Sequence, residues 1–109
     1  MTTSNFNRKE LVLTSTRSLL YGPVATGMTS IIFSGTFSNI DSTLQQDHYL
    51  TLEVQNASLV YMARLHKVPI PYGGTSKCPK TVLLPGESLY VTADLPNVVT
   101  AMVDILERT

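Results

Sequence analysis

The sequence predicts an all-β fold, a single antiparallel β-sandwich or small jelly roll of about seven strands. Apolar side chains recur at every second position in several runs, which is the period of a strand with one buried face. β-Branched residues are concentrated in the same runs, and turn residues separate the runs at intervals of about 8–12 residues. These observations favour strands that pack in two layers around one core.

The alternating runs predict which side chains face the core. In the clearest run, Leu50, Leu52 and Val54 point to one face and the residues between them point to the other. The other inward sets are Leu89, Val91 and Ala93; Val99, Ala101, Val103 and Ile105; Ile31, Phe33, Gly35 and Phe37; and Leu59, Tyr61, Ala63 and Leu65. Residues 98–107 also fit helical spacing, but adjacent valines and Thr100 favour a strand there.

Turn residues lie where the strands should end. Pro85 and Gly86 fit the two central positions of a type II turn, whose second position requires a positive φ. The segment 68–79 contains three prolines and two glycines, so we expect it to be the longest loop. A short helical turn over 43–47, capped by Asp41 or Ser42, is also compatible with the sequence.

Length and charge restrict the class of protein. The chain has 109 residues, of which 43 % are hydrophobic and only 15 % charged, and its formal net charge is zero. This length suits one domain, which we divide into a flexible N-terminal arm, residues 1–8, and a β-sandwich, residues 9–109. A neutral chain lacks the overall field that attracts nucleic acid or an anionic membrane, so we expect neither as a partner. The polar N-terminus predicts no signal peptide, hence synthesis in a cytoplasm.

The chemically active residue types form no recognisable catalytic or metal-binding pattern. His48 and His66 are eighteen residues apart and Cys78 is the single cysteine, which is too few for the three or four convergent ligands of a metal. No nucleophile turn occurs, the carboxylates are scattered, and the segment 73–77 lacks the spacing of a phosphate-binding loop. We therefore expect no enzymatic activity, no cofactor, no metal and no small-molecule substrate.

Surface character points instead to contact with other proteins. Tyr49 and Tyr90 fall on the outward phase of their strands, where a monomer more often has threonine or lysine. An extended N-terminal arm can pair with the sheet edge of a neighbouring subunit. The candidate interface residues are Asn5, Phe6, Arg8, Tyr49, Tyr72, Lys77 and Tyr90.

The C-terminal half resembles a known group of proteins. Leu84-Pro85-Gly86-Glu87-Ser88-Leu89, followed by a terminal strand that ends at Leu106-Glu107, is similar to the hairpin and last strand of small virion proteins of tailed bacteriophages. The resemblance covers residues 50–109. It implies a virion-located, non-enzymatic structural subunit in a capsid decoration, neck or tail, which forms a symmetric oligomer with copies of itself and contacts other virion proteins. It assigns no functional residue.

A second hypothesis is a monomeric module that binds a carbohydrate or another small ligand. Tyr61, Tyr72 and Tyr90 could supply stacking surfaces for a sugar ring. The chain has no tryptophan, the residue best suited to this role, which disfavours the hypothesis.

Overall fold

The computed structural model describes residues 4–56 and 61–109 of the chain. Within these ranges the secondary structure consists of β-strands and contains no helix. The strands, in chain order, are β1 (Ser4–Val12), β2 (Ser18–Tyr21), β3 (Thr29–Asn39), β4 (His48–Gln55), β5 (Tyr61–Ile70), β6 (Thr75–Lys77), β7 (Thr81–Leu83), β8 (Ser88–Ala93) and β9 (Val99–Arg108). The all-β prediction is confirmed, and the described ranges contain nine strands where about seven were expected.

The strands form two antiparallel sheets that pack face to face. Sheet A has the order β1-β9-β3-β6, and β7 pairs with a different stretch of β3. Sheet B has the order β2-β8-β4-β5. The long strands β3 and β9 lie in the middle of sheet A, and β4 and β8 lie in the middle of sheet B. This is a β-sandwich, as the alternation predicts.

The core is built from the inward side chains of both sheets. Val99, Ala101, Val103 and Ile105 of β9 are all buried, as are the inward sets of β4 and β8. The alternation therefore predicts these three strands correctly, and the helix considered for residues 98–107 is absent. The fifth alternating run, over residues 59–65, lies outside the residues whose side chains are described.

The alternation fails in β3 because this strand contains a bulge. The register with β9 shifts between Ile32 and Ser34, so Phe33 is an extra residue with no direct partner. The shift moves the phase by one position, and the inward residues are Ile32, Gly35 and Phe37. The prediction that Ile31 and Phe33 face the core is wrong for that reason.

Segment 68–79 is more ordered than the prolines suggest. Residues 68–70 end β5, and Thr75–Lys77 forms β6, so the predicted long loop is a short turn between two strands. Farther along the chain, Gly86 has a φ of 84° and the N–H of Glu87 donates to the C=O of Leu84 at 3.0 Å. These values confirm the predicted type II geometry.

Residues 4–8 lie within the sandwich in this structure. They are the first half of β1, and their register with β9 runs without interruption from Ser4↔Arg108 to Val12↔Thr100. The predicted boundary between arm and domain after Arg8 thus falls inside a strand. Among the described strands, β1 stands at the end of sheet A, so its second side is an edge of that sheet.

A polar cluster ties the two sheets together at one end. The Tyr21 hydroxyl lies 2.7 Å from Ser30 Oγ and donates to Glu107 Oε2 at 2.8 Å, which connects β2 of sheet B to β3 and β9 of sheet A. Burial raises the pKa of the Tyr21 hydroxyl, so it remains a donor at neutral pH.

Candidate interaction surface

Sheet A carries a row of apolar side chains on the face turned away from the core. Phe6 lies opposite Leu106, Leu106 lies opposite Ile31, and Ile31 lies opposite Val82. Directly opposed residues of an antiparallel pair share a face, so the row crosses β1, β9, β3 and β7 and extends about 14 Å. Phe6 is 76 % exposed and Val82 is 42 % exposed. We call this set, with Phe33, the apolar row.

Phe33 joins the row because of the bulge. The extra residue is turned out of the pleat and is 45 % exposed. Its ring meets that of Phe6 edge to face, with centroids 6.0 Å apart and an interplanar angle of 82°. This arrangement is favourable for aromatic pairs. It leaves much of both rings open to solvent.

One ion pair borders the apolar row. Arg8 Nε donates to Asp104 Oδ1 at 2.6 Å, directly across β1 and β9. The hydrogen bond and the charge of Asp104 raise the pKa of Arg8, and the hydrogen bond from Arg8 lowers the pKa of Asp104. The pair is solvent-exposed, so it contributes little to folding and is free to contact a partner.

The outer face of sheet B has a different character. The Nζ of Lys67 lies 4.7 Å from the centre of the Tyr49 ring, and the guanidinium of Arg17 lies 3.6 Å from the centre of the Tyr90 ring. Arg17 also donates to Glu53 Oε2 at 3.1 Å and to Gln55. Arg17 therefore covers the ring of Tyr90, whereas Lys67 covers that of Tyr49 only in part, since Tyr49 stays 45 % exposed.

The predicted interface residues are divided among four places. Phe6 and Arg8 lie on the outer face of β1, and Lys77 is at the opposite edge of sheet A, opposite Thr36. Tyr49 and Tyr90 are on the outer face of sheet B, as their phase predicts. Tyr72 lies in the β5–β6 turn, where its N–H donates to Asp47, and Asn5 has the inward phase of β1.

Sequence reasoning missed the centre of the apolar row. Ile31 and Phe33 were assigned to the core because the bulge cannot be seen in the alternation. Leu106 and Met102 have the outward phase of β9. These outward apolar residues were the sequence signal that could have indicated the surface. Only the pairing of β3, β9, β1 and β7 shows that these outward residues are neighbours.

A buried charged cluster was also missed. His48 is fully buried at the start of β4, with Nε2 2.7 Å from Asp41 Oδ2 and Nδ1 2.9 Å from Asp94 Oδ2. Because an ionised carboxylate is only an acceptor, both ring nitrogens must carry protons, and His48 is an imidazolium ion. The sequence spacing of His48 and His66, which argued against a metal site, gave no indication of these two carboxylate partners.

The pKa values follow from this geometry. Burial lowers the pKa of His48, but the hydrogen bonds and charges of Asp41 and Asp94 more than offset it, so the net pKa is raised. The hydrogen bond from His48 and backbone N–H groups lower the pKa of Asp41 to about 2. Asp41 Oδ1 accepts the N–H groups of Thr43 and Leu44 in a loop without helix.

The cluster has a structural role. Asp41 follows β3 of sheet A, His48 begins β4 of sheet B, and Asp94 follows β8, so the cluster joins the sheets at the end opposite Tyr21. Both nitrogens of His48 are engaged and the ring is inaccessible, so this imidazole offers no acid or base to a substrate. Asn39 reinforces the loop by donating to the carbonyls of Gln46 and Ile70.

Cys78 is half-buried after β6. Burial raises the pKa of its thiol to about 11, so the reactive thiolate is scarce at neutral pH. Gly35 permits this packing, since a Cβ on Gly35 would lie 2.8 Å from the Cβ of Cys78.

Two further properties concern the described residues alone. In residues 4–56 and 61–109, no group of three or more His, Cys, Asp or Glu side chains is arranged to hold a metal ion. The same part of the chain has no helix that is long and apolar enough to cross a bilayer.

Comparison with known proteins identifies a structural neighbour. No family model and no curated protein matches the chain. A solved structure of Bacillus endospore appendages, described as forming a novel family of disulfide-linked pili, is similar in fold. Its TM-score is 0.61 at 9 % sequence identity, over 98 % of this chain and 86 % of that chain. At this identity the similarity shows a shared β-sandwich fold and no more.

Proposed function

We propose that the protein is a non-enzymatic structural subunit that assembles with copies of itself through the outer face of sheet A. The apolar row carries this proposal. Phe6, Phe33 and Val82 are each more than two-fifths exposed and lie on one face with Ile31 and Leu106. Contiguous apolar surface of this kind favours burial against a partner.

Composition supports the same conclusion. A net charge of zero and a charged fraction of 15 % provide little repulsion between copies. The fold is shared with a pilus-type appendage, which is itself an assembly, although that similarity extends to the fold only. The hypothesis of a sugar-binding monomer is weaker, because Arg17 already covers the ring of Tyr90.

A more specific proposal concerns the particle in which this subunit assembles. We propose a tailed-bacteriophage virion, with the subunit made in the host cytoplasm and built into a capsid decoration, neck or tail. The support is the resemblance of residues 50–109 to small virion proteins. The genes that flank this one test it: a neighbouring portal, capsid or tail gene supports the virion setting, and a surrounding metabolic operon contradicts it.

The self-assembly is tested by light scattering on a truncated apolar row. The double variant Phe33→Ser/Leu106→Ser removes two apolar side chains from the outer face and leaves the core unchanged. We expect the wild-type oligomer to dissociate, with an association constant reduced at least about 30-fold, since buried anchor residues carry most of the energy of an interface.

Leu19→Ser is the matched control. Leu19 is 46 % exposed on the outer face of sheet B, so the substitution removes a comparable side chain from the other surface. We expect Leu19→Ser to retain the wild-type oligomer. Equal loss in both variants, or a wild-type protein that stays monomeric at high concentration, would contradict the proposal.

A further inference from the structure

Strand β1 is an edge strand whose outward side chains alternate regularly along the sheet edge. Each residue from Ser4 to Val12 pairs with β9 on one side, and no strand of the described residues pairs with the other side. A nine-residue edge offers a row of backbone donors and acceptors to another strand. What such an edge can bind is decided by which backbone groups and side chains it presents.

Hydrogen bonds near β1 show which backbone groups face outward. The N–H of Leu13 donates to the C=O of Val99, which continues the register of β1 with β9. The N–H of Ile40 donates to the C=O of Val98, which continues the register of β3 with β9. Odd-numbered residues of β9 therefore bond to β1, and even-numbered residues bond to β3. By alternation, the even-numbered residues of β1 point their N–H and C=O groups away from the sheet.

The same even-numbered residues present side chains to the outer face. After Ser4 they are, in order along β1, Phe6, Arg8, Glu10 and Val12: apolar, positive, negative, apolar. When a second copy of β1 runs antiparallel to the first, this order can place each charge opposite a charge of the other sign and each apolar residue opposite an apolar residue. Within residues 4–56 and 61–109, no cation forms an ion pair with Glu10 within 4 Å, whereas Arg8 pairs with Asp104.

Two antiparallel β1 strands pair well only in registers that set the even-numbered residues of one copy opposite the even-numbered residues of the other. Centring the pair on Arg8 places two guanidinium groups opposite each other and sets Phe6 against Glu10 of the second copy. Centring it on Glu10 places two carboxylates opposite each other. Like charges directly opposite are destabilising. Centring on Lys9 instead sets Arg8 against Glu10 and Phe6 against Val12, twice each by symmetry.

We propose that two copies of this chain join edge to edge through β1, antiparallel, with the two-fold axis at Lys9. The proposal rests on the proposed self-assembly and specifies one of its contacts. Sheet A then continues from one copy into the other, and both apolar rows lie on the same side of the joined sheet. Arg8 lies between Asp104 of its own chain and Glu10 of the second copy.

The one unfavourable contact in this register is Lys9 against Lys9 of the second copy. Lys9 has the inward phase but is exposed at the sheet edge, so its long side chain can reach water. The substitution Lys9→Thr removes this repulsion. We therefore expect Lys9→Thr to strengthen the dimer a few-fold in sedimentation velocity, and a weakened dimer would count against an axis at Lys9.

Disulfide trapping tests the register directly. Across an antiparallel pair that is not hydrogen-bonded, the two Cα atoms at position 9 lie about 4.5 Å apart, within the range of a disulfide. The variant Lys9→Cys in a Cys78→Ala background should cross-link at least about 10-fold faster than the matched control Asn7→Cys. Asn7 has the same phase, but it lies opposite Leu11 of the second copy. Equal rates, or a faster rate at position 7, would overturn the proposal.

Charge complementation provides a second, independent readout. Arg8→Glu alone sets carboxylates against carboxylates, and Glu10→Arg alone sets guanidinium groups against guanidinium groups, so each should dissociate. Mixing the two variants restores both opposite-charge pairs, and we expect a mixed dimer in native mass spectrometry. Circular dichroism verifies that both variants are folded. A mixture that associates no better than its components would contradict the register.

The outcomes separate this inference from the proposed function. If the apolar-row variant dissociates the oligomer but trapping and complementation both fail, self-assembly stands and the β1 contact is wrong. If the wild-type chain and every variant are monomeric, both proposals are wrong. If trapping and complementation succeed while the apolar-row variant still assembles, β1 is the contact and the face contact is wrong.

Discussion

The outer faces of the two sheets differ in how they treat their large side chains. On sheet B, Tyr49 and Tyr90 each lie beside a cation of the same chain, Lys67 and Arg17, although Tyr49 stays 45 % exposed. On sheet A, Phe6 and Phe33 contact each other at 6.0 Å, yet 76 % and 45 % of their surfaces stay exposed. Among the described side chains, the aromatic rings of sheet B are paired with cations, whereas those of sheet A are paired with each other.

The difference indicates which face is suited to water and which to a partner. A tyrosine under a guanidinium group has a polar hydroxyl and a charged cover, so both of its surfaces are solvated. An exposed phenylalanine pair has neither, and burial against another apolar surface is the favourable alternative. Outward aromatic residues are thus not equivalent, and the neighbours of each ring decide its role.

The largest effect should come from a charge at the centre of the apolar row. Ile31 lies between Leu106 and Val82 in register, so Ile31→Lys places an ammonium group in the proposed contact. We expect association to weaken at least about 30-fold, the cost of losing an interface anchor. Light scattering measures it. Thr92→Lys, in the middle of the outer face of sheet B, is the control and should associate normally.

The next effect concerns the His48 cluster, which joins the two sheets. Because folding raises the pKa of His48, protonated His48 stabilises the folded state. This stabilisation is complete below pH 6.5, the ordinary pKa of histidine, and is lost as the pH rises through the pKa of His48 in the folded protein. The pKa of Asp41, lowered from 3.8 to about 2, gives stability that is complete above 3.8 and is lost as the pH falls toward 2. The cluster should therefore stabilise the fold most between these two ordinary values.

Urea unfolding at about pH 5 and about pH 9 measures this dependence. We expect the free energy of unfolding to be higher at the lower pH. His48→Gln should be less stable than wild type at about pH 5 and should flatten the difference between the two values. A wild-type profile that rises from pH 5 to pH 9 would contradict the assignment of His48 as an imidazolium ion.

A smaller effect is expected from uncovering Tyr90. Arg17→Ala removes the cation over the ring and the ion pair with Glu53. We expect a loss of about 1–2 kcal/mol in the free energy of unfolding, because a partly buried cation–π contact and an ion pair are lost together. Chemical denaturation measures it. Unchanged stability would mean that the cation does not cover the ring in solution.

The smallest effect is expected at Lys67. Its ammonium group lies 4.7 Å from the centre of the Tyr49 ring at an exposed site. Lys67→Ala should cost less than about 1 kcal/mol, the range of exposed cation–π contacts. Thermal unfolding measures it. If Lys67→Ala instead associated through the outer face of sheet B, the contact between Lys67 and Tyr49 would be what prevents association at that face.

Much of the fold could be predicted from the sequence. Strand β9 shows why: a buried residue at every second position from Val99 to Ile105 leaves little choice of structure. Strand β3 shows the limit, because one extra residue at Phe33 reverses the phase of the positions before it, and the alternation contains no mark of the bulge. The turn at Gly86 was predictable because its positive φ favours one residue type.

The candidate surface was predictable only in part. Phe6 and Arg8 could be suspected individually, but their neighbours Leu106 and Ile31 are distant in sequence and are joined by strand order alone. The same holds for His48, whose partners Asp41 and Asp94 come from two different connections. Local pattern predicts the phase of a residue, whereas pairing between strands decides what lies beside it.

The central claim is that the outer face of sheet A is a contact surface between copies of this chain. Sedimentation equilibrium of the unmodified protein beside the variant Phe33→Ser/Leu106→Ser, over a wide range of concentrations, tests this most directly. We expect a closed oligomer whose mass is a multiple of 12.0 kDa for the unmodified protein, and dissociation of this oligomer in the double variant. A protein that sediments as a single 12.0 kDa chain at every concentration would contradict it.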